Sequence, residues 1–544
     1  MHIAFLNPQG NFDPNDSYWT EHPDFGGQLV YVKEVAIAMA AQGHQVDILT
    51  RQIVDPEWPE FAQQEDAYPN VENVRILRLP CGPQHFLAKE QLWPYLGTEW
   101  VANIVTFYRS EGSLPDAFTA HYADGGLSGA LLTQATGRPF TFTGHSLGAQ
   151  KMDKLNACAE NLAELDHRFH FARRILAERV SMSRAARIIT STQQERVEQY
   201  GHKAYRGAID PSDETRFAVI PPGVNRKIFN PDSTEVDAVI ADRIAEALRR
   251  DVARDRHDLP IVLASSRLDA KKNHVGLVRA FAESQKLQES ANLAIAVRGL
   301  EDPLRRYASL SDEEAAIMDE IVALLNEYAL WGKVTAFPLN SQTELAAAYR
   351  TMSTRRSVFA LTALYEPFGL APLEAMSCGL PAVVTKNGGP SESMIEAGRE
   401  FGVLIDALVP ADIARGLLRV VESVEQWEML RDAGIERVVS KYTWDRTAEG
   451  YLGVIIKLQT AAPSSSIIIH PPNGKSVDNL IHVGGFRSPA SNLFDGSMAG
   501  SERTSSSMAG SERLTLSESE IPGWFTDPCP DNDISLDKLA DLYL

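Results

Sequence analysis

Glu366 and Glu374 are separated by seven residues in the string Glu366-Pro367-Phe368-Gly369-Leu370-Ala371-Pro372-Leu373-Glu374. The apolar run 358–362 before it reads as a buried strand, and the residues around Glu374-Ala375-Met376 read as a helix. One carboxylate therefore stands in the loop at a strand's carboxyl end, and the other on the first turns of the next helix. A carboxylate accepts two hydrogen bonds at once, which suits Glu374 to a vicinal ribose diol and Glu366 to a sugar hydroxyl. The amides at the helix start, about Gly369, Leu370 and Ala371, suit phosphate oxygens. Upstream, Ser266-Arg267-Leu268-Asp269-Ala270-Lys271-Lys272-Asn273 follows another apolar run, so Arg267 and Lys272 stand at a strand end. Two cations there neutralise a diphosphate, although an isolated R-x4-K also describes a solvated basic loop.

Two further segments lie in the first half. Gly26-Gly27-Gln28 falls between the first strand and its helix, where backbone N–H groups and the helix dipole meet an anion, or where a plain loop simply turns into a helix. Gly144-His145-Ser146-Leu147-Gly148 matches the G-x-S-x-G nucleophile elbow and follows a strand. A hydrolase would need an acid and then a histidine after Ser146, for which His257, His274 or His470 can be nominated without supporting context. The competing reading is a ligand-binding loop in which His145 offers a hydrogen bond; a tight turn with a buried histidine is the plainest reading of all.

These segments need a scaffold, and the periodicity supplies one. Strands are predicted at 2–6, 45–50, 74–79, 117–121, 139–143 and 187–191, with a helix at 27–42 whose Val32, Val35, Ala36 and Met39 share one face. A second series follows at 261–265, 293–298, 333–337, 358–362, 382–385 and 402–406. Between them Ser311-Asp312-Glu313-Glu314 is a capping-box pattern, and Ile317, Ile321, Leu324, Leu325 and Tyr328 mark the helix it opens. Repeated βα units imply parallel sheets with ligands beyond the strands' carboxyl ends. The expected fold class is α/β, with two doubly wound Rossmann-like domains facing across a cleft. The expected boundaries are a first domain at 1–225, a charged connection at 226–259, a second domain at 260–440 and a helix at 441–460 returning to the first domain. A Ser/Gly-rich flexible insertion at 461–520, in which Ser-Met-Ala-Gly-Ser-Glu-Arg occurs twice, and a terminal segment at 521–544 complete the chain.

Composition narrows the function. The 544 residues are 44% hydrophobic and carry a formal charge of −20, which supports large cores and disfavours nucleic acid and anionic membranes while leaving small anionic substrates open. The four cysteines, Cys81, Cys158, Cys378 and Cys529, have no metal-ligand spacing. Neither a leader pattern nor a membrane-length apolar window occurs, so the expected location is the cytoplasm.

Taken together, E-x7-E, R-x4-K, G-G-Q and the paired domains resemble the retaining GT-B glycosyltransferases over about residues 1–460. Asn7-Pro8-Gln9-Gly10, the stretch 26–34, Thr143-Gly144-His145-Ser146-Leu147-Gly148 and the stretch 361–374 are similar to the branch formed by sucrose-phosphate synthases and sucrose synthases. The resemblance implies transfer of glucose from UDP-glucose to fructose 6-phosphate, and fructose is the alternative acceptor. It implies that Arg267 and Lys272 bind the departing diphosphate, Glu374 the ribose and Glu366 the glucose, that Gly26, Gly27 and Gln28 close over the reacting centre, and that His145 hydrogen-bonds the donor sugar. For the acceptor phosphate, Lys89, Tyr122, Lys151, Arg173 and Arg174 are the candidates, with Lys151 foremost because it follows the sugar loop directly. No metal or other cofactor is implied beyond the nucleotide sugar. Asp531-Asn532-Asp533-Ile534-Ser535 mimics a phosphatase signature, but only nine residues follow it, so a separate sucrose-phosphate phosphatase is the expected next enzyme. A nucleotide-sugar sensor without turnover is the non-enzyme alternative.

Overall fold

Strands that read as short unbroken apolar runs in the sequence are the ones buried on both faces, because a parallel sheet covered by helices leaves neither face to water. The computed structural model describes residues 1–19, 26–158 and 161–461. The insertion expected from 461 onward, the terminal segment 521–544, His470 and the Asp531–Ser535 acidic motif lie outside the described residues, apart from Ala461 itself. The chain forms two units, one comprising Met1–Ile220 with the segment from Ala448, the other Pro221–Thr447.

The first unit is built on eight strands: β1 (His2–Leu6), β2 (Gln45–Arg51), β3 (Glu65–Asp66), β4 (Val74–Leu79), β5 (Ala117–His121), β6 (Phe140–Thr143), β7 (Arg187–Thr190) and β8 (Phe217–Val219). Their order is β3-β4-β2-β1-β5-β6-β7-β8, with β3 antiparallel to β4. The other neighbouring pairs are parallel. From β1 the chain builds outward to β2 and β4 on one side and to β5, β6, β7 and β8 on the other, so the strand order reverses between β1 and β5. A doubly wound sheet offers its ligand crevice at such a point, beyond the strands' carboxyl ends. The helix Tyr122–Thr136 crosses β1 so closely that a Cβ on Gly125 would lie 2.5 Å from the Leu6 carbonyl. The helix Trp444–Ala461 anchors here through buried Tyr451, whose hydroxyl is 3.1 Å from that of Tyr31 and 2.7 Å from Thr143 Oγ1.

The second unit holds β9 (Ile261–Ala264), β10 (Asn292–Ala296), β11 (Val334–Phe337), β12 (Val358–Leu361) and β13 (Ala382–Thr385). A small hairpin, β14 (Ile395–Glu396) and β15 (Arg399–Glu400), precedes β16 (Val403–Ile405). The main sheet runs β11-β10-β9-β12-β13-β16, all parallel, and reverses between β9 and β12. Alternate residues serve opposite faces: Val262, Leu293, Ile295 and Val358 pack under the helices on one side, and Leu263, Ala294 and Phe359 under those on the other. The capping box at Ser311 forms as the sequence predicts, with Ser311 N donating to Glu314 Oε2 at 3.2 Å and Glu314 N to Ser311 Oγ at 3.4 Å.

Residues 226–259 correct the expected linker. They contain the helix Glu235–Asp251, which buries Ile240, Ile244, Ala247 and Leu248 in the second unit's core beside Tyr349 and Met352. Those four apolar residues keep helical spacing, but the charges on the opposite face mask it. β3 and β8, two and three residues long, are too short for the period of two to register.

Candidate active site

The reversal point of the second sheet gathers the residues singled out there. β9 ends at Ala264, and the chain passes through exposed Arg267 into a short 3₁₀ turn, Ala270–Lys272. Asn273, in the left-handed region at φ 55°, then caps the helix His274–Glu283 by accepting from Gly276 N at 3.2 Å. Thr362 Oγ1, just past β12, donates to the Asn273 carbonyl at 3.1 Å, and Leu364 N to the Lys271 carbonyl at 2.8 Å, so the two loops are tied together. Across that tie Lys272 Nζ lies 2.6 Å from Glu366 Oε2.

The Glu366 backbone is fixed as well. It donates to the Asn387 carbonyl and accepts from Gly389 N, both at 3.0 Å. The approach needs Gly388, at φ 104°, because a Cβ there would lie 2.0 Å from the Glu366 carbonyl oxygen. Gly369, in the left-handed region at φ 91°, opens the helix Leu370–Ser377, and Leu370 and Ala371 lie in its first turn. Glu374 sits on this helix, where burial pushes its carboxyl up to about 7. The second unit thus places an ion pair, an exposed arginine, a helix N-terminus and a desolvated carboxyl at one strand-end region.

In the first unit Gln28 is clamped at the end of β1. It donates to Asn7 Oδ1 and accepts from Gln9 Nε2, both at 2.7 Å. Gly26 and Gly27 precede it at the start of the helix Gly27–Ala41, and a Cβ on either would meet nothing within 4 Å among the described residues. Packing therefore does not call for glycine at these two positions, whereas close approach of a ligand to the backbone would. Gly27→Ala is expected to leave the melting temperature unchanged or slightly raised, since alanine is favoured over glycine in a helix by up to about 1 kcal/mol. It should nonetheless lower kcat by about tenfold to a hundredfold if the loop positions substrate. Thermal unfolding and steady-state kinetics on one preparation check both halves.

The loop 144–148 connects β6 to the helix Gly148–Lys154. Its left-handed residue is His145, at φ 56°, and not Ser146. Of the histidines nominated as triad partners for Ser146, the two among the described residues are engaged elsewhere: His257 Nε2 lies 3.0 Å from the Val252 carbonyl, and His274 Nε2 3.1 Å from the Arg267 carbonyl. His145 Nε2 lies 2.8 Å from His121 Nδ1, and burial holds the His145 imidazole down at about 3, so it is neutral. Tyr31 packs edge-on to its ring at 5.0 Å, and Tyr122, itself left-handed at φ 65°, stacks over it at 6.1 Å.

The five acceptor-phosphate candidates lie on four segments of the first unit. Tyr122 stands at the end of β5 and Lys151 on the helix after the sugar loop, with its ammonium 4.0 Å from the centre of the Phe169 ring. Arg173 is half-buried on the helix Phe171–Arg184, and Lys89 is half-buried in the short turn Lys89–Gln91. Arg174 follows on the same helix as Arg173 and is buried. Its Nε donates to Glu178 Oε1 at 3.0 Å, Nη2 donates to the Ser146 carbonyl, and the guanidinium lies 5.2 Å over the Tyr122 ring. Among the described residues, no cluster of three or more His, Cys, Asp or Glu side chains could hold a metal ion.

Comparison with known proteins adds identity to this geometry. Residues 26–211 match the Glycosyl transferase 4-like domain, and residues 246–437 match Glycosyl transferases group 1. A probable sucrose-phosphate synthase of Thermosipho melanesiensis is 42% identical over 463 residues, covering 85% of this chain and 98% of the relative. The chain belongs to the sucrose-phosphate synthase family. The sucrose-phosphate synthase of Zea mays is 33% identical over 511 residues, covering 83% of this chain and 47% of its own length. The chain thus spans nearly all of the bacterial relative and about half of the plant ones. Among solved structures, the sucrose-phosphate synthase of Thermosynechococcus elongatus superposes with a TM-score of 0.57 at 24% identity, covering 85% of this chain and all of that one. Anabaena HepE, solved in complex with UDP, gives 0.54 at 16% identity over 84% of this chain and 100% of that one. The fold is GT-B.

Several residues that shape the site of this sucrose-phosphate synthase family member carry no sequence signal. Glu178 lies on the helix Phe171–Arg184, far along the chain from the loop it holds. It accepts from Gly148 N at 2.9 and 3.0 Å, from Arg174 and from the Tyr205 hydroxyl, which in turn accepts from Ala149 N at 3.1 Å. Burial raises the Glu178 carboxyl's pKa, and Arg174 opposes that shift. Glu178→Ala would leave Arg174 buried without its counter-charge, and removing one member of a buried pair costs about 3–5 kcal/mol. The expected outcome is a lower urea midpoint together with lost activity. An unchanged midpoint would contradict it.

Proposed function

We propose that the chain transfers glucose, with retention of anomeric configuration, from UDP-glucose to fructose 6-phosphate, giving sucrose 6-phosphate and UDP. The observation that carries this reading is the 2.6 Å Lys272–Glu366 pair at the reversal point of the second sheet, next to Arg267 and the Gly369-capped helix. That arrangement supports reading the cations as partners of a diphosphate and the carboxylate as acceptor from a sugar hydroxyl.

In the reaction, the bond between the anomeric carbon and the β-phosphate oxygen breaks and its electron pair stays on the diphosphate. The anomeric centre develops oxocarbenium character, the acceptor hydroxyl attacks from the same face, and its proton passes to the leaving phosphate. The protein's main task is to stabilise charge on that phosphate, which Arg267, Lys272 and the amides of Gly369, Leu370 and Ala371 supply. Glu374 accepts from the ribose diol and Glu366 from a glucose hydroxyl. Neutral His145 hydrogen-bonds the same sugar without adding charge near the forming cation, and Gly26, Gly27 and Gln28 approach the reacting centre through backbone and amide.

Lys89, Tyr122, Lys151, Arg173 and Arg174 serve the acceptor phosphate. Arg174 also helps hold the sugar loop, through Glu178 and the Ser146 carbonyl. This scheme needs no metal. No helix among the described residues is long and apolar enough to cross a membrane. The phosphorylated substrates are those of a cytoplasmic enzyme. The product is a phosphate monoester, so a separate phosphatase is the expected next step.

The test is product identity. Incubation with UDP-glucose and fructose 6-phosphate in a chelator should give, by NMR, an α-glucosidic disaccharide phosphate and UDP. Product formed only from unphosphorylated fructose would move the reaction to sucrose synthesis. Ligand binding without any product would point to a sensor.

A further inference from the structure

Behind His145 the first unit contains two buried polar residues that the transfer scheme leaves unused. Thr119 and His121 both lie on β5 and are fully buried. Thr119 Oγ1 is 3.2 Å from His121 Nε2, and His121 Nδ1 is 2.8 Å from His145 Nε2. Among the described residues, the Thr119 hydroxyl has no other hydrogen-bond partner, and none meets His145 Nδ1. Burial lowers the pKa of both imidazoles, so each is neutral and carries a single ring proton. The rings are held in orientation by Phe5, stacked on His121 at 5.5 Å, and by Tyr31 and Tyr122 around His145.

Proton counting along this hydrogen-bonded chain gives one arrangement in which the buried Thr119 hydroxyl and both His121 nitrogens are satisfied. If His121 Nε2 carried the proton, it would donate to Thr119, and the hydroxyl hydrogen would be buried without an acceptor at a cost of about 1–3 kcal/mol. If Thr119 donates instead, His121 Nε2 is the acceptor and the His121 proton sits on Nδ1. That N–H faces His145 Nε2, which must then accept, and the single proton of His145 is left on its own Nδ1.

We propose that Thr119 and His121 are positioning residues that fix His145 in the Nδ1–H tautomer, so that its remaining nitrogen donates, and does not accept, a hydrogen bond to an oxygen of the transferred sugar. The sugar contact rests on the function proposed above, whereas the tautomer does not. A histidine presented as an obligatory donor selects ligands offering a lone pair at that point, and the contact helps hold the sugar in its reacting orientation.

The experiment is ¹⁵N-histidine labelling of the full chain, with long-range ¹H–¹⁵N correlation reading the tautomer and His145→Gln assigning the signals. The expected result is an Nδ1–H pattern for both His121 and His145. Thr119→Val, which keeps the shape and removes the hydroxyl, should shift His145 toward Nε2–H and lower kcat about three- to tenfold with KM little changed, the scale of one hydrogen bond. Thr119→Ser should restore both. In His121→Asn, the amide N–H replaces Nδ1–H, so His145 should keep its tautomer even if Thr119→Val does not fold. An Nε2–H pattern for His145 in the parent protein, or an unchanged tautomer in folded Thr119→Val, would overturn the proposal. The expected tautomer in a protein that transfers no sugar would support the relay while refuting the proposed function.

Discussion

Lys272→Ala is expected to lower kcat by about 10²–10³ while leaving the protein folded. An ammonium aimed at charge that develops only on the departing diphosphate contributes to the transition state more than to the ground state, and loss of one such donor typically costs this much. The fold should tolerate the change, since the Lys272–Glu366 pair is only part-buried, with 23% and 14% of its side chains exposed, and a backbone hydrogen bond from Leu364 N to the Lys271 carbonyl ties the same loops. Glu366→Ala should fall in the same range, and the double variant should be little worse than either single one, because the two groups hold each other in place. Steady-state kinetics with circular dichroism on the three variants measures this. Full additivity would mean that the 2.6 Å contact has no part in catalysis.

Glu374→Gln is expected to make the ligand-free enzyme more stable and a worse binder of its donor. Burial lifts the Glu374 carboxyl from 4.5 to about 7 in the folded state. Between those values the folded chain keeps a proton that the unfolded chain has lost, so stability falls as pH rises through this window, and the penalty is complete above about 7. At about 1.36 kcal/mol per pH unit the penalty amounts to about 3 kcal/mol. Glutamine carries no such penalty. The variant should therefore exceed the parent in stability at pH 8, and the advantage should vanish below pH 4.5. If the ionised carboxylate accepts two hydrogen bonds from a ribose diol, the donor KM should rise about 10- to 100-fold in the variant, and in the parent as pH falls below about 7. Urea midpoints and donor KM across pH check both signs. A variant less stable than the parent at pH 8 would refute the desolvation argument.

The longer strands and the second unit's strand-end residues were legible because they are local. An apolar run ending in Arg267 or Glu366 signals both the strand and what stands beyond it, and the parallel order brings those ends together. The Ser311 capping box was legible for the same reason. What stayed hidden is long-range. Glu178, Tyr200 and Tyr205 hold the 144–148 loop from 30 to 56 residues away, and Tyr451 reaches Thr143 across 308. No periodicity encodes such pairings. Arg174 is a further case: its type suits a phosphate, but nothing local in the sequence shows the buried Glu178 that pairs with it. The helix Glu235–Asp251 was missed although its spacing was readable, because charge density outweighed a four-residue apolar face.

The most direct test of the proposed chemistry is UDP release from UDP-glucose by the purified chain in a chelator, with fructose 6-phosphate and fructose as parallel acceptors. Sucrose-phosphate synthesis predicts a kcat/KM strongly favouring the phosphorylated acceptor, with that preference falling when Lys151 is replaced by alanine. Equal or greater turnover with fructose would contradict it.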